Sequence, residues 1–254
     1  MQLYTMTWEE IAEIDRETIV VIPFGAVEQH SHHLPVGTDS MIVEGIARRL
    51  EQQLPHAVCL LPTIYLGCSR HHMAFAGSLT AEIETFIDVG LQLAESMAHH
   101  GFKNILLLNG HGGNANKIGI IAEKLRYRQG PPLNVVGVTY WHLIREEIRD
   151  IRETSAGGMG HACEFETSIL LALAPASVRL DRMEAGGLNR GTQFAGGDLF
   201  DAGSVTVPRP FDKLSPHGGL GDPRTASAEK GERILHATVS KLVRVVEEMR
   251  SGAL

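Results

Sequence analysis

The stretch NILLLNGHGGN, residues 104–114, decides how the chain is read. Ile105 to Leu108 are all apolar, with no polar residue alternating between them. A strand of that kind has no solvent face and belongs in a sheet covered on both sides. Three glycines and a histidine then turn the chain, and residues 114–129 resume with Ile118, Ile121 and Leu125 at helical spacing, closed by Gly130.

Working outward, the pattern repeats. Apolar runs at 18–24, 57–66 and 134–141 read as further buried strands. Residues 81–100 place Ile83, Phe86, Ile87, Leu91, Ala94 and Met97 on one helical face. Thr80 is the expected N-cap there, with Glu82 and Glu84 in the first turn and Gly101 just past the end. Another helix starts near Met41, and a long one spans 225–250 with Ile234, Leu235, Leu242, Val245, Val246 and Met249 in its stripe. Buried strands separated by helices imply an α/β fold with a mostly parallel sheet. Residues 185–224 are rich in Gly, Pro and Asp, and one helix beyond them cannot form a second domain. The expectation is a single domain over 1–254, with 185–224 an ordered excursion at a subunit contact or over a pocket.

Composition removes several function classes. A formal charge of −7 and no Lys/Arg run argue against nucleic acid or an anionic membrane as partner. No apolar run approaches the roughly 20 residues that span a bilayer, and the N-terminus lacks the pattern of a signal peptide. Three cysteines without CxxC spacing fit a reducing cytoplasm. Thirteen histidines are unusual, and several cluster.

Ligands of open α/β sheets collect beyond the carboxyl ends of the strands. Glu28 and His30 follow the first strand in GAVEQHSHHLPVGTDS (25–40), a segment that also holds His33 and, just ahead of a helix, Asp39. His111 follows NILLLN, and GHACEFETS (160–168) opens the apolar segment 169–174. Mixed imidazole and carboxylate donors suit Zn, Mn, Fe or Co better than Ca or Mg. Glu28 and His30, two apart in extended chain, point to the same side. Asp39 is the candidate bridge between two ions, its two oxygens serving one each. With Glu28, His30, His111 and Glu166 it makes five ligands for two ions, leaving positions for water and substrate. Each residue also has a plainer reading. Glu28 and His30 could be a solvated loop, Asp39 a helix cap, His111 a turn residue, His161 a core histidine, and Glu164 and Glu166 first-turn carboxylates. The GHGGN loop could hold a phosphate on its N–H groups. His71, His72, His99 and His100 read as surface residues. The metal reading rests on three separate clusters meeting at one sheet edge.

The segments GAVEQHSHHLPVGTD, LLLNGHGGN, HACEFETSILLALAP and DPRTASAEKGERIL, in this order over most of the chain, resemble the creatininase family. The resemblance implies a three-layer α/β/α sandwich, a binuclear site of two divalent ions (Zn, Mn or Fe), hydrolysis of a C–N bond in a small amide or cyclic amide by a metal-activated water, and a homohexamer. It matches Glu28, His30, Asp39 and His111 to metal ligands and His161 to a proton-transfer histidine, with Glu166 also at the catalytic centre. It sets Ser78, Trp141 and Gly112 at the substrate. The chain departs from creatininase itself at Gly113, where a ligand Glu is replaced, at Gly112, in place of a substrate-contacting Tyr, and near Gly157, in place of a Trp. Glu166 is the expected substitute for the missing carboxylate, with Glu164 second. Losing two aromatic residues opens the pocket and disfavours a flat ring such as creatinine. Formamides, a small peptide precursor and an oxidised inositol ring are the other substrates in such a family. A non-catalytic metal-dependent binding protein is the alternative from another class.

Overall fold

The computed structural model describes residues 1–127, 133–187 and 191–254. In chain order its elements are α1 (Trp8–Ala12), β1 (Ile19–Phe24), α2 (Thr38–Gln53), β2 (Val58–Leu60), α3 (Ile83–His99), β3 (Asn104–Asn109), α4 (Ala115–Tyr127), β4 (Asn134–Thr139), β5 (Met159–His161), α5 (Glu164–Leu173), β6 (Ala195–Asp198), β7 (Asp201–Gly203), β8 (Leu220–Gly221) and α6 (Ala228–Ser251). The main sheet has the order β2-β1-β3-β4, every pair parallel.

Alternation of side chains along each strand divides the core in two. Ile19, Val21, Leu106 and Leu108 face one cluster, formed with α2, α5 and α6. Val20, Ile22, Ile105 and Leu107 face the other, with α3 and α4. Helices therefore cover both faces, which is why the strands carry no polar alternation. The result is the three-layer α/β arrangement expected. Among the described residues no helix is long and apolar enough to cross a membrane.

Local boundaries differ from the sequence reading in three places. The run 57–66 yields only a three-residue strand and an isolated bridge from Phe24 to Ile64. Pro23 explains the gap, because it has no N–H to continue the ladder toward β2. Thr80 does not cap α3; Glu82 holds that position, while the Thr80 hydroxyl accepts from the Ser69 N–H (3.0 Å). Asp39 is not ahead of its helix but inside the first turn of α2, whose N-cap is Gly37. Gly130, the expected end of α4, lies outside the described residues; Gly101 does end α3, with φ +91°.

Gly25 follows β1 and lets α2 come close. A Cβ there would lie 2.5 Å from the Ser40 Oγ and 2.6 Å from its Cα, so no larger residue fits. That approach brings Asp39 to the end of the strand. Within the described part of 185–224, β6 and β7 form an antiparallel pair, and β8 pairs with β5.

Candidate metal centre

The loop after β3 is shaped by two buried asparagines. Asn109 accepts from the His111 N–H (3.1 Å) and donates to the His111 carbonyl (2.8 Å) and the Thr139 hydroxyl (3.1 Å). Asn114 accepts from the Cys68 N–H (2.9 Å) and donates to the Gly25 carbonyl (3.1 Å). The ends of β1 and β3 and the segment around Cys68 are thus tied together, and His111 is fixed between them.

Residues from distant segments meet here. His30 Nε2 is 3.2 Å from Asp39 Oδ1 and 3.8 Å from Glu166 Oε1. His111 Nδ1 is 3.0 Å from Asp39 Oδ2, and its Nε2 is 3.4 Å from Glu28 Oε2. The two oxygens of Asp39 therefore face two different imidazoles. All five of these residues are buried. The carboxylate choice on α5 follows from helix geometry. Glu164 points away and is saturated by Lys230 Nζ (2.6 Å), the Glu153 and Thr154 N–H groups and the Thr154 hydroxyl. Glu166, two positions on, faces His30.

Two sets of donors stand close enough to share an ion, His30 with Asp39 and Glu166, and Glu28 with His71 and His111; in each, one donor atom per residue lies within 4.8 Å of the others. Glu28, His30 and His161 form a third such group. The donors fit cations better than they fit one another. Glu28 Oε2, His30 Nε2 and Asp39 Oδ2 are buried and make no hydrogen bond, although imidazoles and carboxylates adjoin them. Unpartnered nitrogen and oxygen atoms gathered in a buried site are what divalent ions satisfy.

Charge balance agrees. Burial opposes a charged His111, yet Glu28 and Asp39 outweigh it and push the imidazole up to about 9. Burial likewise opposes His30, and Asp39 with Glu166 hold it well above the ordinary value. Burial raises Glu28 to about 7, against the pull of His111. Asp39 is held low despite its burial, chiefly by His30. The pocket thus holds positive charge on two imidazoles beside its carboxylates, and a metal ion can replace those protons.

His161 is neutral, its pKa lowered to about 3 by burial and then by His30. Its Nε2 lies 2.7 Å from the Gln29 carbonyl, which can only accept, so Nε2 carries the hydrogen. Nδ1 is left as the acceptor, 3.8 Å from Glu28 Oε1.

Two histidines were misplaced by the sequence reading. His72 is not at the surface but 1% exposed, in the short turn Arg70–His72. Its Nδ1 lies 2.7 Å from Gln29 Nε2, and its Nε2 3.2 Å from Glu28 Oε1. The Gln29 oxygen is identified by the Ser31 N–H donating to it (2.9 Å), so the amide nitrogen donates to His72. His71 is drawn in as well, stacked 5.8 Å from the His111 ring. Gly113 makes room for this: a Cβ there would lie 2.4 Å from His111 Nε2 and 2.9 Å from His71 Cε1. The signal available was position, since His71 and His72 follow the second apolar run and so fall at the same sheet edge. Gln29 and Phe211 carried no such signal. Phe211, from the excursion, packs its ring 4.0 Å from His72 and 4.9 Å from His161. His99 and His100 are exposed, as expected.

Of the residues the resemblance set at the substrate, Gly112 lines a cavity of about 510 Å³ with His71, Gly113 and Phe211. The Ser78 hydroxyl accepts from the Gln29 N–H (3.1 Å). Trp141 is buried edge-on against Tyr140 and lies outside that cavity's lining. His33 is buried as well, its Nε2 2.9 Å from the Thr167 hydroxyl.

Comparison with known proteins agrees with this geometry. The family model for creatininase, creatinine amidohydrolase, matches residues 4–246. A mycofactocin precursor peptide peptidase of Mycobacterium tuberculosis is 35% identical over 239 residues, 89% of this chain and 84% of the relative. The creatinine amidohydrolase of Pseudomonas putida is 26% identical over 258 residues, 96% of this chain and 95% of the relative. A solved structure of a creatininase with Mn superposes with a TM-score of 0.81 at 25% identity, covering 97% of each chain.

Proposed function

Because the chain belongs to the creatininase family, a family of hydrolases, we propose that it is a metal-dependent amidohydrolase cleaving a C–N bond in a small amide, formamide or cyclic amide. The observation that carries this reading is the position of Asp39, one oxygen beside His30 and the other beside His111. Glu28, His111 and Asp39 would hold one divalent ion, and His30, Glu166 and Asp39 the other. Zn, Mn and Fe all suit that donor set. Such ions supply a water acidified toward a pKa of about 7 and polarisation of the amide carbonyl.

The chain's own residues supply the rest. His161 Nδ1, an acceptor facing Glu28, is placed to take a proton and hand it to the departing nitrogen. The Gln29 carbonyl holds the ring so that Nδ1, and not Nε2, does this. Phe211 covers His72 and His161 and keeps bulk water from them.

Creatinine itself is the less favoured substrate, since Gly112 provides no stacking surface beside the cavity. A second reading, cleavage of a short peptide, is favoured by the higher identity to the peptide peptidase, 35% against 26% for the creatinine amidohydrolase. A single domain, a homohexamer and a cytoplasmic location are proposed with this function; calorimetry and sedimentation check the first two. The test is metal analysis followed by hydrolysis of formamides, lactams, creatinine and short peptides with Mn, Zn or Fe. Chelation should abolish activity and metal restore it, with the far-UV spectrum unchanged. Two equivalents of bound metal with no hydrolysis of any amide would leave a binding protein in place of an enzyme.

A further inference from the structure

The cavity beside Gly112 has a chemical character of its own. It is about 510 Å³, and its inner end is formed by His71 and Gly113, next to Glu28 and His111. Among the described residues its lining contains two cations, Lys117 and Arg209, and no Asp or Glu. Lys117 stands in the first turn of α4 and donates to the Gly113 carbonyl (2.9 Å). Arg209 comes from the excursion and is exposed. Neither has an acidic partner among the described residues. An adjoining cavity of about 320 Å³ shares His71, Lys117 and Arg209, and the one carboxylate in its lining, Glu82, is already paired with Arg70. In a chain of net charge −7, two cations without an acidic partner among the described residues, in the lining of one cavity, need a reason.

We propose that this cavity is an anion subsite, in which Lys117 and Arg209 hold a carboxylate of the substrate beside the His71–Gly113 end, where the scissile amide lies. The inference rests on the amidohydrolase reading above and narrows it to amides bearing a carboxylate. A guanidinium fork takes two carboxylate oxygens and an ammonium adds a third contact, and such charge-assisted bonds are stronger than neutral ones. Creatinine, which has no such group, would leave both cations unused.

The test uses the full-length protein loaded with Mn and two probes that anchor through a hydroxamate. One is succinic acid monohydroxamate; the other is the same molecule with its carboxylate converted to a primary amide. Calorimetric titration should show the acid binding about tenfold tighter or more. Arg209→Met should lower that preference, and Lys117→Met with Arg209→Met should bring it near unity, with affinity for the amide probe unchanged. That unchanged affinity shows the fold and the metal site intact. Lys117 also bonds the Gly113 loop, so Arg209→Met carries the result should the double variant be disturbed. Equal binding of the two probes by the wild-type chain, or a preference that survives Arg209→Met in full, overturns the subsite. Failure of both hydroxamates to bind the Mn-loaded protein overturns the metal-site reading, and the subsite with it.

Discussion

His72 stands against Glu28. Its Nε2 lies 3.2 Å from Oε1 of the carboxylate, and its tautomer is set from behind by the Gln29 amide, 2.7 Å from Nδ1. Burial and then the neighbouring imidazoles lower its pKa, so it stays neutral beside the carboxylate. A group of this kind orients a ligand without binding the ion itself.

Replacing it tests that role. His72→Phe keeps the volume and removes the imidazole Nε2 beside Glu28. Metal affinity should fall by about 10- to 100-fold, read by competition with a chelator of known strength. Unaltered affinity would mean that Glu28 is held in place without His72.

Asp39→Ala should empty or scramble both metal positions, because one of its oxygens faces His30 and the other His111. Elemental analysis of the purified variant gives the answer. Two ions retained per chain would rule out a bridging role.

His161→Ala should keep its metal yet lose turnover by about 10²- to 10⁴-fold. The pairing of metal content with rate is what matters here. A metal-loaded variant with full activity removes His161 from the mechanism.

Gly113→Ala places a methyl group 2.2 Å from the Cys68 carbonyl oxygen and 2.4 Å from His111 Nε2. Relieving that clash should cost about 1–3 kcal/mol of stability and displace His111. Gly112→Ala, with nothing within 4 Å, is the control for stability. Urea denaturation of the two variants should separate them clearly.

The chelated protein should be most stable near the ordinary histidine pKa of about 6.5. Above it, the native state holds protons on His30 and His111 that the unfolded chain has lost, so stability falls as pH rises toward about 9. Below it, the unfolded chain protonates His33, His71, His72 and His161, while burial keeps them neutral in the native state. Stability then falls with pH as well. Glu28, raised to about 7, partly opposes this by holding one extra native proton between about 4.5 and 7. Added Mn or Zn should remove the alkaline loss, because the ion takes the place of the protons on His30 and His111. Thermal melts across pH, with and without metal, check both arms.

Much of this was legible in one dimension because it depends on local periodicity. Unbroken apolar runs marked β1, β3 and β4, and the position of polar residues just beyond them brought out Glu28, His30, Asp39 and His111. The two-residue offset between Glu164 and Glu166 on one helix meant that only one of them could reach the centre, and Glu166 is the one facing His30. What periodicity cannot carry is a partner chosen across the fold. Gln29 meets His72 and the Gly218 carbonyl, 43 and 189 positions away, and nothing near it in the chain announces either. His71 and His72 read as surface because residues 65–82 have no helical or strand period, and their burial is set by the β3 loop and by Phe211. Side-chain chemistry and the succession of strands and helices are encoded locally, whereas strand order, tautomer and burial arise only when remote segments pack, since each depends on neighbours that the local sequence does not name.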